Sequence, residues 1–147
     1  MTFLLVHKHD ASLETLNHAL HRQSMRTEHA QTCEEAALRL AGPEPPELVF
    51  TSTELPDGTW PDIVRLAERA PVPVNVIVVS RLADIRTYIE VLQSGAFDFI
   101  APPFEPAALA HVVSCAVGNV ARRRSMQAQA LKRADVPSQP FRLPATS

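Results

Sequence analysis

The stretch "ELVFTSTELPDGTW", Glu47 to Trp60, decides the fold. Leu48-Val49-Phe50 is an apolar run of strand length, and it breaks into Thr51, Ser52, Thr53 and Glu54 before the turn Leu-Pro-Asp-Gly. A buried strand that ends in polar residues is how a parallel sheet presents a site, at the carboxyl edge of its strands.

Outward from that strand, elements of two periodicities alternate. Upstream, "TFLLV" (Thr2 to Val6) is a short apolar run stopped by "HKHD", and "ASLETLNHALHR" sets Leu13, Leu16 and Leu20 on one helical face. "MRTEHA" reads as a short strand of poor apolar content. "TCEEAALRLAG" is an amphipathic helix with Thr32 as N-cap, Glu35 as its capping-box partner, and Gly42 and Pro43 at its end. Downstream, Thr59 or Asp57 can cap a helix carrying Pro61, Ile63, Val64 and Leu66. "VIVV" (Val76 to Val79) is the most hydrophobic strand and reads as central in a parallel sheet. "ADIRTYIEVLQSG" is a helix stopped by Gly95, "FDFI" a strand, "APPFEP" a Pro-rich loop and "AALAHVVSCAVGNVARRR" a long last helix. Five strands alternating with five helices predict a doubly wound α/β fold with a five-stranded parallel sheet.

The whole composition agrees with that class. The 147 residues suffice for one domain; 46% are apolar and 20% charged, as in a soluble globular protein. A net charge of −2 gives no reason to expect nucleic acid or an acidic membrane. Cys33 and Cys115 cannot build a disulfide framework, so a reduced cytoplasmic setting is expected. The run Phe3 to Val6 is too short for a signal peptide, and no segment approaches the roughly 18 apolar residues of a membrane span. The composition shifts near Ala121. The expected organisation is a domain over 1–121, a helical extension or linker over 122–134 with five Lys or Arg, and a disordered tail over 135–147.

Five pieces in order carry a resemblance: "LLV" before a polar cluster, "TEHAQTCEEAALRL", "ELVFTSTELPDG", "VIVVS" and "SGAFDFIAPPFEP". Together they resemble the receiver domain of bacterial response regulators over about residues 2–121, with a cast similar to NtrC-type transcription regulators. The resemblance implies a flavodoxin-like (βα)5 fold with strand order 2-1-3-4-5. It also implies a phosphoryl-transfer site: two acids after the first strand for Mg²⁺, an acceptor aspartate after the third, a Ser or Thr after the fourth and a lysine after the fifth. Such a site needs hard oxygen ligands, a carboxylate nucleophile and a cation for the transferred charge.

Carried over residue by residue, the acidic pair falls on His7 and Lys8, the acceptor on Ser52 and the lysine on Pro102. Ser80 fits the position after the fourth strand, and the switch aromatic falls on Phe99, which lacks a hydroxyl. An ammonium at Lys8 repels a divalent cation, and a serine hydroxyl without a base is a weak nucleophile. The expectation is a degenerate receiver with no catalytic residue, metal or cofactor, whose pocket is locked by a Lys8–Glu54 ion pair beside Ser52 and Ser80, with Asp10 in reach. The peptide before the proline of the "KPF" element is usually cis in receivers, which makes Pro102–Pro103 a candidate cis bond.

Other readings of these residues are weaker. His7, His9 and Asp10 lack a second group to complete a transition-metal site. A Ser52–His7 dyad has no Gly-x-Ser-x-Gly elbow around it, and four glycines leave no phosphate cradle. Cys33 and Cys115 read as inert helix residues and His18, His21, His29 and His111 as ordinary surface positions. The expected function is a phosphorylation-independent signalling or protein-interaction module of a transcriptional or two-component system. The alternative is a ligand-binding or enzymatic use of the pocket around Ser52, His7 and Lys8. The resemblance points to the fourth helix, fifth strand and fifth helix (84–94, 97–100 and 107–120) as the face for a protein partner or a homodimer. Arg81, Arg86, Glu90, Asp98 and the run Arg122 to Arg124 are its candidate charges. No direct nucleic-acid role is expected, since no helix-turn-helix is present.

Overall fold

The computed structural model describes residues 1–81 and 85–135. In chain order the elements are β1 (Thr2–Val6), α1 (Ala11–Arg22), β2 (Arg26–Ala30), α2 (Cys33–Ala41), β3 (Leu48–Thr51), β4 (Glu54–Leu55), β5 (Gly58–Thr59), α3 (Trp60–Glu68), β6 (Asn75–Val79), α4 (Ile85–Gln93), β7 (Asp98–Ile100) and α5 (Pro106–Asp135).

β1, β3 and β6 are buried on both faces, which is why their sequences are near-continuous apolar runs. They form the middle of a five-stranded sheet of order β2-β1-β3-β6-β7, parallel throughout. This is the expected 2-1-3-4-5 order once the small β4–β5 hairpin is set aside. β2 sits at the edge, so its polar sequence costs no core contacts.

Alternation along the strands divides the core into two layers. Leu4, Val6, Val49, Val76 and Val78 face α2, α3 and α4 through Ala36, Leu40, Ile63, Val64 and Val91. Phe3, Leu5, Leu48, Phe50, Ile77 and Val79 face α1 and α5 through Leu13, Leu16, Leu20, Leu109, Val113, Ala116 and Val120. Phe3 and Phe50 meet edge to face across this second layer, 6.1 Å between ring centres.

The caps differ from expectation in two places. Thr32 accepts from the Glu35 N–H at 3.0 Å, but the Glu35 carboxylate turns to the Gln31 N–H (2.7 Å). Asp57 does not cap α3, whose N-cap is Thr59 with the Asp62 carboxylate on its N–H at 2.9 Å. Instead Asp57 reaches from the β4–β5 turn to α2 and accepts from the N–H groups of Cys33 (2.7 Å) and Glu34 (3.0 Å). The first N–H groups of a helix have no partner within it, and a carboxylate beside the Thr32 hydroxyl serves two of them here. Gly58 leaves room for this closure: a Cβ there would lie 2.6 Å from Asp62 Oδ2 and 2.9 Å from Cys33 Sγ, so one of those side chains would have to shift.

The helical extension is not a separate piece. α5 runs unbroken to Asp135, and residues just past its last buried turn hold the N-terminal edge of the sheet. Arg124 donates through Nε to the Pro73 carbonyl (2.8 Å) and through Nη2 to the Pro46 carbonyl (2.9 Å), with Glu47 3.7 Å away. Arg123 donates to Asn75 Oδ1 (2.7 Å), and Gln127 to the Pro71 carbonyl (3.1 Å). Asn75 in turn donates to the Ala116 carbonyl and to Asn119. Of the run Arg122 to Arg124, expected among the charges of the partner face, Arg123 and Arg124 are thus engaged within the chain. Loops rich in proline leave carbonyls without ladder partners, and a guanidinium fork suits them. The tail expected over 135–147 lies outside the described residues from 136 onward.

Candidate functional site

The site lies at the carboxyl edge of the sheet, where β1, β3, β6 and β7 end. The three hydroxyl residues that follow β3's apolar run are used locally. Ser52 N–H continues the ladder to the Val6 carbonyl at 3.0 Å, and its hydroxyl, with the residue 2% exposed, donates to the Glu54 carbonyl at 2.9 Å. Thr51, fully buried, donates its hydroxyl to the Ser52 carbonyl (3.0 Å). The Thr53 carbonyl accepts from Trp60 N–H and starts the hairpin that carries Asp57.

His7 follows β1 and is half-buried. Its N–H donates to the Ala30 carbonyl, and its Nδ1 accepts the N–H of Asp10 at 3.0 Å. Asp10 is taken up as the N-cap of α1, accepting from Ser12 N–H (2.8 Å) and Leu13 N–H (3.3 Å). The His7 ring stands edge-on to His29 of β2, 6.4 Å between centres. Burial is the main reason its pKa falls below the usual 6.5; Asp10 and Glu14 oppose that, and His29 and His9 add to it.

The expected Lys8–Glu54 ion pair is not made. Both side chains are exposed, and the ion pairs among the described residues are Arg39–Glu28, Arg65–Asp62 and Arg124–Glu47. The pocket has no need of it: Ser52 is satisfied by a backbone carbonyl, and an exposed pair is worth little. Nor do Ser52 and His7 form a dyad, since the hydroxyl and the Nδ1 each have another partner.

Ser80 follows β6, its N–H on the Ile100 carbonyl at 3.1 Å. Phe99 on β7 is 6% exposed, packed with Val91 and Ala96, and meets Tyr88 of α4 edge to face at 6.5 Å. The Pro102–Pro103 peptide is cis. Asp84 lies outside the described residues; from Arg86 onward α4 exposes Tyr88, Ile89 and Leu92, at 41%, 46% and 37%.

The chemistry of this donor set does not fit Mg²⁺. An imidazole nitrogen, an ammonium and a serine hydroxyl stand where hard carboxylate oxygens would be needed, and Asp10 is committed to its helix. Among the described residues no three His, Cys, Asp or Glu side chains cluster as a metal site, and no buried side-chain nitrogen or oxygen lacks a partner.

One pairing escaped the sequence reading: Cys115 Sγ lies 3.7 Å from His111 Nε2 on the exposed face of α5. Their spacing of four, one helical turn, is the signal that could have found it. Cys33 is the opposite case. Burial, with Asp57 beside it, pushes its thiol up to about 11.

This architecture, with a polar carboxyl edge to its parallel sheet, is that of a receiver. The response regulator receiver domain family matches residues 3–114, and the chain belongs to that family: it is the receiver domain of a two-component response regulator, with a signalling role. It is similar to the response regulator protein PilR of Pseudomonas aeruginosa, 32% identical over 104 residues, which cover 71% of this chain and 23% of PilR. The chain thus spans about a quarter of that relative's length. Solved structures share the fold. A CheY-like receiver domain protein from Methanospirillum hungatei has a TM-score of 0.66 at 20% identity, over 82% of this chain and 96% of that one. NtrX from Brucella abortus has a TM-score of 0.68 at 22% identity, over 87% of this chain and 29% of that one. Among the described residues no helix is long and apolar enough to cross a membrane.

Proposed function

We propose that this receiver signals without being phosphorylated, as a protein-interaction module. The observation that carries the reading is Ser52. At the acceptor position stands a hydroxyl that is 2% exposed and already bonded to the Glu54 carbonyl, with His7, Lys8 and Pro102 at the metal and lysine positions. Four losses in one site leave neither nucleophile, nor metal ligands, nor countercharge. A protein partner, or a second copy of the chain, is then read by the α4–β7–α5 face, where Tyr88, Ile89 and Leu92 supply the apolar surface. Neither nucleic acid nor membrane is proposed as a direct partner.

The test is an NMR titration of the whole chain with Mg²⁺ and then beryllofluoride, a mimic of aspartyl phosphate. The expected result is no shift around Ser52 and Ser80. Saturable shifts confined to those residues would mean that a carboxylate has been recruited, and would overturn the reading.

A further inference from the structure

We propose that His7 is a proton-operated latch on the β1–α1 loop, so that the pocket edge that in relatives answers to phosphoryl groups answers here to protons. The geometry fixes where the proton must go. His7 Nδ1 accepts the Asp10 N–H, so the neutral ring carries its hydrogen on Nε2. The second proton has one place to bind, Nδ1, and binding there removes the acceptor and sets N–H against N–H. Asp10 holds the first turn of α1 through Ser12 and Leu13, so releasing its N–H loosens the point where the loop becomes a helix. The loop between is tight: His9 sits at φ 61°, a left-handed conformation unusual for a side chain other than glycine.

The groups around the ring set its balance. His29 faces it from β2, Asp10 and Glu14 from the start of α1, and His9 and the exposed Lys8 lie in the loop itself. A charge on the His29 ring, or on His9, works against charging His7. Burial of the ring works in the same direction, and the two carboxylates restrain the change.

The inference goes beyond the reading above and rests on it in one respect, that no metal competes for the pocket. The experiment is a pH titration of the whole chain by NMR, without Mg²⁺ and repeated with it, following the His7 ring nitrogens and the Asp10 amide. The expected result is an Nε2–H tautomer at neutral pH and an Asp10 amide transition that shares the His7 midpoint, below 6.5. His7→Asn keeps a side-chain acceptor that does not titrate, and flattens the Asp10 transition. His29→Gln raises the His7 midpoint and serves if the first variant does not fold. An Asp10 amide that ignores His7 protonation, or a neutral ring carrying its hydrogen on Nδ1, overturns the latch. A Mg²⁺-dependent shift would instead count against phosphorylation independence and leave the metal-free titration to be judged by itself.

Discussion

Asp57 and Cys33 lie 24 residues apart in sequence and 2.7 Å apart in space, where the Asp57 carboxylate accepts the Cys33 backbone N–H. The bond ties the β4–β5 hairpin, which begins just past Ser52, to the first turn of α2. The Cys33 and Glu34 N–H groups also hold the Asp57 pKa below the usual carboxylate range, that of Cys33 foremost. Asp57→Ala should lower stability by roughly 0.5–1 kcal/mol, the low end of a cap because the carboxylate is exposed. A folded pKa below the unfolded one makes this contribution present above pH 3.8 and lost as pH falls through the folded value. Urea midpoints of both proteins at pH 7 and pH 3 measure it: the difference should shrink at the lower pH.

The two thiols should separate cleanly. Cys33, 9% exposed and with a thiol pushed up to about 11, holds about one thiolate in 10⁴ at pH 7. Cys115 is exposed beside His111. Labelling of the native chain at neutral pH should modify Cys115 and spare Cys33 until the protein is unfolded. Equal rates at both would mean that the α2–β5 closure opens far more readily than its contacts imply.

Arg124 is the most heavily engaged side chain of the helical extension. Arg124→Ala should cost about 2 kcal/mol, because it strips a charged donor from carbonyls at 2.8 and 2.9 Å and from Glu47. Arg124→Lys should recover less than half of that, since an ammonium cannot span the Pro73 and Pro46 carbonyls as the guanidinium fork does. Ending the chain at Val120 should destabilise it more than ending it at Ala128, by thermal melts.

Ser52→Asp should not restore phosphoryl chemistry. It supplies an acceptor but no acids at His7 and Lys8 and no lysine at Pro102, and it puts a carboxylate where the side chain is 2% exposed. The expected outcome is a loss of about 1–3 kcal/mol with no incorporation from a small acyl phosphate in Mg²⁺. Incorporation into the variant chain at the new carboxylate would show that the remaining pocket suffices.

Much of this structure was legible in the chain. The apolar runs gave β1, β3 and β6 because strands buried on both faces have no alternation to disguise them. The pattern of "ELVFTSTELP" put Ser52 just past the end of a strand and that of "SGAFDFIAPPF" put Phe99 on one, which is where β3 and β7 have them. The hairpin of two-residue strands escaped because so short a ladder has no period. The Lys8–Glu54 pair failed for a different reason: their places after neighbouring strands suggested it, but both side chains are exposed and Ser52 is satisfied by the Glu54 backbone carbonyl. The caps by Asp57 and the grip of Arg124 join side chains to backbone groups across 23 to 79 residues, and Arg123 reaches the Asn75 side chain across 48. No local pattern encodes such a distance. His111 and Cys115, by contrast, lay in plain view at helical spacing.

The grip on the sheet's N-terminal edge has a mechanical side. Val120 and Arg124 hold one helix at two points a turn apart, and two points fix a bearing rather than a place. From Arg124 to Ala134 the rod runs about 15 Å, so a tilt of about 10° at the grip swings its tip by roughly 3 Å. The compass needle of this molecule is therefore pinned among prolines, at the end of the sheet farthest from Ser52. A torque on the far end of α5 is felt first by the loops at Pro46 and Pro73, and the pocket at the other edge feels it only through the length of the strands.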